Sequence, residues 1–275
     1  MPSPTEITVS QLSRLIGTPD LSLIIDVRID ENFQLNPALI PCSVRISHKD
    51  IDTSLARIGE NKKAIVVCHE GHKLSQGYSA QLRNQGIMAE TLEGGFVAWS
   101  QSGNPVLSLK NMPKPNDKGQ TVWVTRHRPK IDRIACPWLI RRFIDPSAVF
   151  LFVSPSEVLG VADKFDATPF DIDDVFWSHR EEKCSFDTFI EEFSIETPPL
   201  KVLAAIVRGA DTNRHDLAPE AAGLLAASLG LSRMYKDDLE QLESGMLLYD
   251  AFYRWARDAR EEGHDWPAAL NTGSK

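Results

Sequence analysis

The chain has 275 residues, 42% of them hydrophobic, which is enough apolar material for about two domain cores. Its formal net charge of −8 argues against binding to nucleic acid or to anionic membranes through the overall field. The longest apolar runs, such as VLAAIV at 202–207, are too short to cross a bilayer, and no basic stretch precedes an apolar core near residue 1. We therefore predict a cytoplasmic protein.

In the first hundred residues, short runs rich in Val and Ile alternate with helical patterns. The expected strands are 21–27, 43–46, 63–68 and 89–92, and the expected helices are 9–16, 50–59 and 74–86. Apolar strands that alternate with helices indicate an α/β domain with a mostly parallel sheet and helices on both faces. Functional groups in such sheets collect where strands end and helices begin.

We place this first domain at 1–106, a linker rich in Pro, Lys, Asn and Gly at 107–120, and a second domain at 121–265. The second domain has two strand candidates, 121–125 and 148–153, followed mostly by helices. One helix begins at Thr197 and Pro198, as cap and first helical residue. Apolar residues spaced three and four apart from Leu239 to Ala256 mark another. The second domain is therefore expected to be mostly α-helical, of the α+β class.

Cys68 ends an apolar strand in VVCHEGHKLS (66–75), and the next helix begins near Leu74. The intervening residues must form a tight strand-to-helix loop, in which backbone N–H groups and the positive end of the helix favour a thiolate. Two other interpretations stay open at this point: a buried structural cysteine, and a zinc site using His69 or His72.

The chain has four cysteines, Cys68 and also Cys42, Cys136 and Cys184. They are too far apart for a paired metal-ligand spacing or a dense disulfide framework, so we expect reduced thiols. Cys136 precedes Pro137 and is expected to cap a helix. Cys184 precedes Ser185, a good N-cap for a helix that buries Phe186 and Phe189. Inert packing is one interpretation of both thiols, and a lowered pKa at a helix start is the other.

Four segments of the first domain resemble, in the correct order, the motifs of the rhodanese family of sulfurtransferases. They are IIDVR (24–28), ALIPCSVRI (38–46), VVCHEGHKLS (66–75) and LEGGFVAW (92–99). The resemblance implies a rhodanese-like fold in which Cys68 attacks a sulfane sulfur donor and holds the sulfur as a persulfide. The substrate-binding loop would be His69, Glu70, Gly71, His72 and Lys73. A small thiol or cyanide would accept the sulfur, and no cofactor would be required.

Several positions depart from the family pattern. Lys73 replaces the usual arginine, which keeps the charge but loses the planar fork, and Leu74 replaces the usual serine, with Ser75 one place later. The spacing Cys-x4-Lys favours sulfur transfer, because related phosphatases need Cys-x5-Arg. By resemblance, Asp26 and Arg28 support the loops near the site, and a structural ion pair is the alternative.

Residues 121–257 resemble almost continuously the C-terminal domain of ChrB-type chromate-resistance proteins. The matching stretches include WVTRHRPKIDRIACPWLIRRFIDP and SHREEKCSFDTFIEEF. The basic residues suit an oxyanion such as sulfate or chromate, or pairing with the acidic clusters of the same half. The polar residues there also suggest a metal site, although their spacing fits no standard one. The candidates for an oxyanion or metal site are Arg126, His127, Asp132, Arg133, His179, Arg180, Cys184, Arg208 and Asp211, with His215 a further metal candidate.

The sequence thus favours a rhodanese-type sulfurtransferase joined to a ChrB-like domain and working in chromate or thiol stress. The alternative is a non-enzymatic sensor or regulator in which Cys68 is a redox thiol. Direct reduction of chromate is disfavoured, because no dinucleotide fingerprint such as GxGxxG supplies an electron source.

Overall fold

A computed structural model describes residues 5–59 and 62–263. The ends of the two predicted domains, residues 1–4 and 264–265, lie outside these ranges. Among the described residues, no helix is both long and apolar enough to cross a membrane.

The first domain is built on a five-stranded parallel sheet with the order β1-β6-β5-β2-β4. Its strands are β1 (Glu6–Ile7), β2 (Leu23–Asp26), β4 (Ser43–Arg45), β5 (Lys63–Val67) and β6 (Met88–Leu92). Its helices are α1 (Val9–Leu15), α2 (Asp30–Leu35), α3 (Ile51–Ile58), α4 (Lys73–Asn84) and α5 (Gly95–Gln101). The four predicted strands and three predicted helices all form, with ends shifted by one or two residues.

Alternate side chains of the central strands enter two different hydrophobic clusters. Ile24 and Ile65 face a cluster that contains residues of α1 and α5. Ile25 and Val66 face a second cluster with residues of α3 and α4. Because successive side chains of a strand point to opposite faces, the sheet is covered by helices on both faces, as the sequence predicted.

The second domain has a three-stranded parallel sheet with β8 in the centre. Its strands are β8 (Val122–Arg126), β9 (Val149–Val153) and β10 (Thr168–Pro169). Its helices are α6 (Asp132–Leu139), α7 (Val158–Lys164), α8 (Ser185–Glu192), α9 (Pro198–Asp211), α10 (Ala221–Met234) and α11 (Asp238–Asp258), and a π-helix (Ile140–Ile144) continues α6. The predicted mostly helical α+β domain is confirmed.

The two domains share one hydrophobic cluster. The side of the first sheet that carries α1 and α5 belongs to the same cluster as the core of the second domain. A Cβ on Gly17 would lie 2.5 Å from Cζ of Phe143, and the Cys42 N–H donates to the Phe143 carbonyl at 2.9 Å. Strand β7 (Leu107–Ser108), within the predicted linker, pairs antiparallel with β3 (Ala38–Leu39). The domains are therefore packed together.

The structure overturns the helix start predicted at Cys136. Helix α6 begins at Asp132, so Cys136 and Pro137 lie inside it. Tertiary contacts position this start, because Ile131 adopts a positive φ of 43°, donates its N–H to Ser228 Oγ and accepts from Tyr249 Oη. The other cap is shifted by one residue, since Cys184 itself caps α8 and Ser185 is the first helical residue.

Candidate functional site

Cys68 lies directly after β5, the middle strand of the first sheet, in the loop that leads to α4. Its side chain is almost completely buried, and its Sγ lies 3.1 Å from Oγ of Ser75 in the first turn of α4. The thiol thus occupies the carboxyl edge of a parallel sheet and the N-terminal end of a helix, where sequence reasoning placed it.

The loop after Cys68 packs backbone against backbone on the turn that precedes α5. Gly71 and Gly95 adopt positive φ angles of 73° and 58°. A Cβ on Gly95 would lie 2.5 Å from both the Cys68 carbonyl oxygen and the Gly71 amide nitrogen, and the Phe96 N–H donates to that carbonyl at 2.9 Å. Any side chain on Gly95 would displace these backbone atoms, so this glycine fixes the shape of the Cys68 loop.

The backbone amides of the loop are available to a ligand. Within the described ranges, the N–H groups of residues 69–73 have no hydrogen-bond acceptor in the protein. The positive end of the α4 dipole adds to their electrostatic effect. Such a set of unpaired donors suits an anion or an anionic sulfur species.

The side chains of the loop differ in exposure. Glu70, His72 and Lys73 are exposed, whereas His69 is half-buried and its Nδ1 is buried without a hydrogen-bond partner. Among the residues that the structure describes, Lys73 forms no ion pair, so its charge is available at the start of α4.

Asp26 and Arg28 form a buried ion pair beside the loop. Two guanidinium nitrogens of Arg28 lie 2.6 to 3.0 Å from the Asp26 carboxylate, and Arg28 also donates to the carbonyl oxygens of Asn36 and Ala38. The Arg28 Cζ lies 3.7 Å from the centroid of the Phe96 ring. Because the Phe96 N–H donates to the Cys68 carbonyl, the pair reaches the Cys68 loop through Phe96.

A second group of polar residues meets in the C-terminal domain, and we call it the carboxylate–histidine cluster: Asp132, Asp171, His179 and Asp211. The Nε2 atom of His179 lies 3.5 Å from Asp132 Oδ2, 3.4 Å from Asp171 Oδ1 and 3.2 Å from Asp211 Oδ2. Asp132 begins α6, Asp211 ends α9, and Asp171 follows β10. The cluster thus combines helix ends with the carboxyl end of a strand in a second parallel sheet.

The charged groups of this cluster shift one another's pKa values. Burial and the negative charges of Asp211 and Asp171 raise the pKa of Asp132 well above its usual range. Against the opposing effect of burial, hydrogen bonds from His179 and Ser185 lower the pKa of Asp171. Hydrogen bonds to Asp171 and Asp211 raise the pKa of His179 to about 10.

The predicted arginines of this domain lie in ion pairs. Arg126 and Arg133 approach Asp171 Oδ2 at 3.4 and 3.3 Å. Arg208 pairs with Asp187 at 2.8 Å, and Arg180 pairs with Glu192. This geometry matches the interpretation that the basic residues neutralise acidic groups of the same half; the oxyanion site stays a prediction.

His127 and His215 do not join the cluster, because both are exposed. Cys184 lies beside it: against the larger effect of burial, a hydrogen bond from its thiol lowers the pKa of Asp132, and the thiol also donates to Asp187 Oδ2 at 3.3 Å. Burial, with the nearby Asp132 charge, raises the pKa of Cys184 and of Cys136 well above the ordinary value. Lowered pKa values at these thiols were the wrong alternative, because both sulfurs are buried beside carboxylates.

Sequence reasoning missed Asp171 as a site residue. It stands in the DIDD run (171–174), which reads as a solvated acidic segment, and only the fold brings it to His179. Ser185 was assigned a capping role, yet its N–H donates to Asp132 Oδ2 at 2.6 Å and its Oγ donates to Asp171 Oδ1 at 2.8 Å. Nothing in the spacing of these residues indicates either contact.

Two protein families match different parts of the chain. Residues 8–102 match the rhodanese-like domain, and residues 123–256 match the ChrB C-terminal domain. The thiosulfate sulfurtransferase GlpE of Pseudomonas savastanoi pv. phaseolicola is 34% identical over 79 residues, which cover 28% of this chain and 72% of that protein.

Protein ChrB of Cupriavidus metallidurans is 34% identical over 155 residues, or 55% of this chain. The match spans 46% of the length of that ChrB protein. A rhodanese-like domain protein from Staphylococcus aureus, known from a crystal structure, is 29% identical, with a TM-score of 0.31 over 34% of this chain and 90% of that protein.

Proposed function

Because this chain joins a member of the rhodanese-like family to a ChrB C-terminal domain, we propose that it is a sulfurtransferase acting through a persulfide on Cys68. The observation that carries the proposal is the loop that follows Cys68 at the end of the central strand β5: its backbone amides are unpaired, and it leads directly into the start of α4. The relative GlpE, named as a thiosulfate sulfurtransferase, agrees with this chemistry.

In the first step, the Cys68 thiolate attacks the outer, sulfane sulfur of a donor such as thiosulfate. A new bond forms between Cys68 Sγ and that sulfur, while the bond between the two sulfurs of thiosulfate breaks and sulfite leaves with the electron pair. The product is a Cys68 persulfide. This is nucleophilic catalysis, in which one difficult transfer is divided into two easier ones.

The loop stabilises the charges that this step moves. The amides of residues 69–73 donate hydrogen bonds to the anionic donor and then to the persulfide. The exposed Lys73 attracts the anion as a point charge, whereas an arginine would bind it through two parallel hydrogen bonds. Oγ of Ser75, 3.1 Å from Sγ, orients the sulfur for attack.

In the second step, a thiolate or cyanide attacks the outer sulfur of the persulfide. The bond between that outer sulfur and Cys68 Sγ breaks, the Cys68 thiolate is regenerated, and the acceptor leaves as a persulfide or as thiocyanate.

The four cysteines are free thiols, which fits a reducing compartment such as the cytoplasm. The match to the ChrB C-terminal domain supports the further proposal that this sulfur transfer works in chromate or thiol stress.

The test is the mass of the intact chain after incubation with thiosulfate, followed by addition of cyanide or a thiol. We expect the native chain to gain the mass of one sulfur atom and to lose it when the acceptor is added. Cys68→Ser removes the nucleophile and should gain nothing. The matched control is Cys136→Ala, which removes a fully buried thiol in the other domain and should load sulfur like the native chain.

Two outcomes would contradict the proposal. If the native chain gains no sulfur from thiosulfate or from a persulfide donor, Cys68 is not a sulfur carrier. Reversible oxidation of Cys68 by peroxide without sulfur loading would then favour the sensor. If Cys68→Ser loads sulfur as well as the native chain, another cysteine is the carrier.

A further inference from the structure

In the carboxylate–histidine cluster, three carboxylates converge on one imidazole nitrogen. Three carboxylate oxygens lie 3.2 to 3.5 Å from one nitrogen, His179 Nε2. That nitrogen carries at most one proton, which Asp171 and Asp211 can only share, and Asp132 Oδ2 and Asp171 Oδ1 already accept hydrogen bonds from Ser185. Hydrogen bonding to the imidazole therefore does not explain why all three carboxylates converge.

Asp132 is the second and independent observation. Its side chain is fully buried, and within the described part of the chain its Oδ1 has no hydrogen-bond partner. A buried carboxylate oxygen without a partner is costly, and buried charges are normally paired or bound to a metal. Arg126 and Arg133 pair with Asp171 and leave Asp132 without an ion-pair partner other than His179.

The atoms are close enough to share one ion. Three possible ligand atoms lie within 4.8 Å of one another, one each from Asp132, His179 and Asp211. Ligands about 2.0–2.2 Å from a metal are separated by no more than about twice that distance, so the three atoms need only small movements to bind one ion.

The neighbouring residues orient these ligands. The Ser185 N–H, at the first position of α8, holds Asp132 Oδ2 at 2.6 Å. The Ser185 hydroxyl donates to Asp171, and Arg126 and Arg133 also contact this carboxylate. Outer groups that hydrogen-bond to ligating carboxylates are typical of metal centres. The His179 side chain is 41% exposed, so the cluster is open to solvent on that side.

We propose that Asp132, His179 and Asp211 bind one divalent transition-metal ion, with Asp171 as a further carboxylate beside it. Two carboxylates and one imidazole suit Mn²⁺ or Zn²⁺ better than the all-oxygen cations Mg²⁺ and Ca²⁺. The open side leaves coordination positions for water or an anionic ligand. A dication also balances the carboxylates more completely than the single charge of an imidazolium.

The experiment uses the full chain, stripped with EDTA and titrated separately with Mn²⁺ and Zn²⁺. Free Mn²⁺ is followed by its electron paramagnetic resonance signal, and Zn²⁺ binding by calorimetry. We expect one ion per chain. Asp211→Asn and His179→Gln should each weaken binding at least tenfold, because changes in groups that only orient ligands already cost about 10–100-fold. Cys68→Ser should bind like the native chain, which excludes the thiol as the site.

The matched controls are His215→Gln and Asp216→Asn, exposed residues of the same domain outside the cluster, and both should bind like the native chain. Near-ultraviolet circular dichroism shows whether each variant keeps its packing. If Asp211→Asn does not fold, the more exposed His179→Gln decides the question. The proposal is overturned if the native chain binds neither Mn²⁺ nor Zn²⁺ saturably, or if folded cluster variants bind both ions unchanged.

Discussion

The Cys68 loop and the carboxylate–histidine cluster each include a residue just beyond the carboxyl end of a strand in a parallel sheet, but the two sites are assembled in different ways. Cys68, the loop amides and Ser75 come from one uninterrupted segment. Asp132, Asp171, His179 and Asp211 come from four separate segments of the second domain. A contiguous site leaves a motif in the sequence, whereas a dispersed site becomes visible only after the chain has folded.

A strong dependence of the Cys68 loop on residues far away in the chain would contradict this contrast between the two sites. The buried ion pair of Asp26 and Arg28 tests for such a dependence, and breaking it has the largest expected effect. Asp26→Asn leaves the buried Arg28 guanidinium without its counter-charge, which typically costs about 3–5 kcal/mol. We expect a loss of this size in the free energy of unfolding, measured with urea. The control is Asp30→Asn, which breaks the more exposed pair with Arg45 and should cost about 1 kcal/mol or less. Equal losses in the two variants would show that burial is not the reason.

Gly95→Ala tests the contact between the loop and the turn before α5. The added Cβ would meet backbone atoms of Cys68 and Gly71 at 2.5 Å, and the φ of 58° disfavours alanine. We expect about 1–3 kcal/mol of destabilisation and slower sulfur loading. Gly77→Ala, within α4 and with nothing near its Cβ, should instead keep the loading rate and stabilise the chain by up to about 1 kcal/mol. Normal loading by Gly95→Ala would show that the loop keeps its shape without this contact.

Ser75→Ala has the smallest expected effect on sulfur loading. It tests whether Ser75 contributes to transfer within the segment that also carries Cys68. The variant loses the contact with Cys68 Sγ and the hydrogen bond that Oγ donates to the His72 carbonyl at 3.2 Å. A loss of about 1 kcal/mol at the thiol predicts a loading rate about fivefold lower, with little change in fold. Ser79→Ala is the matched control in the same helix, because its hydroxyl bonds to Thr91 Oγ1 rather than to the thiol. If both variants load sulfur at the same rate, the contact between Oγ and Sγ has no role in transfer.

Local patterns predicted most of the first domain. Ile24 and Ile65 alternate with Ile25 and Val66 along apolar strands, and this regularity was sufficient to predict a sheet with both faces covered. The prediction failed at Cys136, where a proline suggested a helix start. There the contacts of Ile131 with Ser228 and Tyr249 begin the helix earlier. Local signals cannot report contacts made across the fold.

The sequence by itself determined the two domain families and the strand-to-helix loop at Cys68. Both are encoded in short motifs of residues that are neighbours in the chain. Only the tertiary structure decided that Asp171 and Ser185 meet His179 and Asp132, and that the arginines lie in ion pairs. Contacts between distant segments are stabilised by burial and charge pairing in the folded state, and neither is encoded by spacing along the chain.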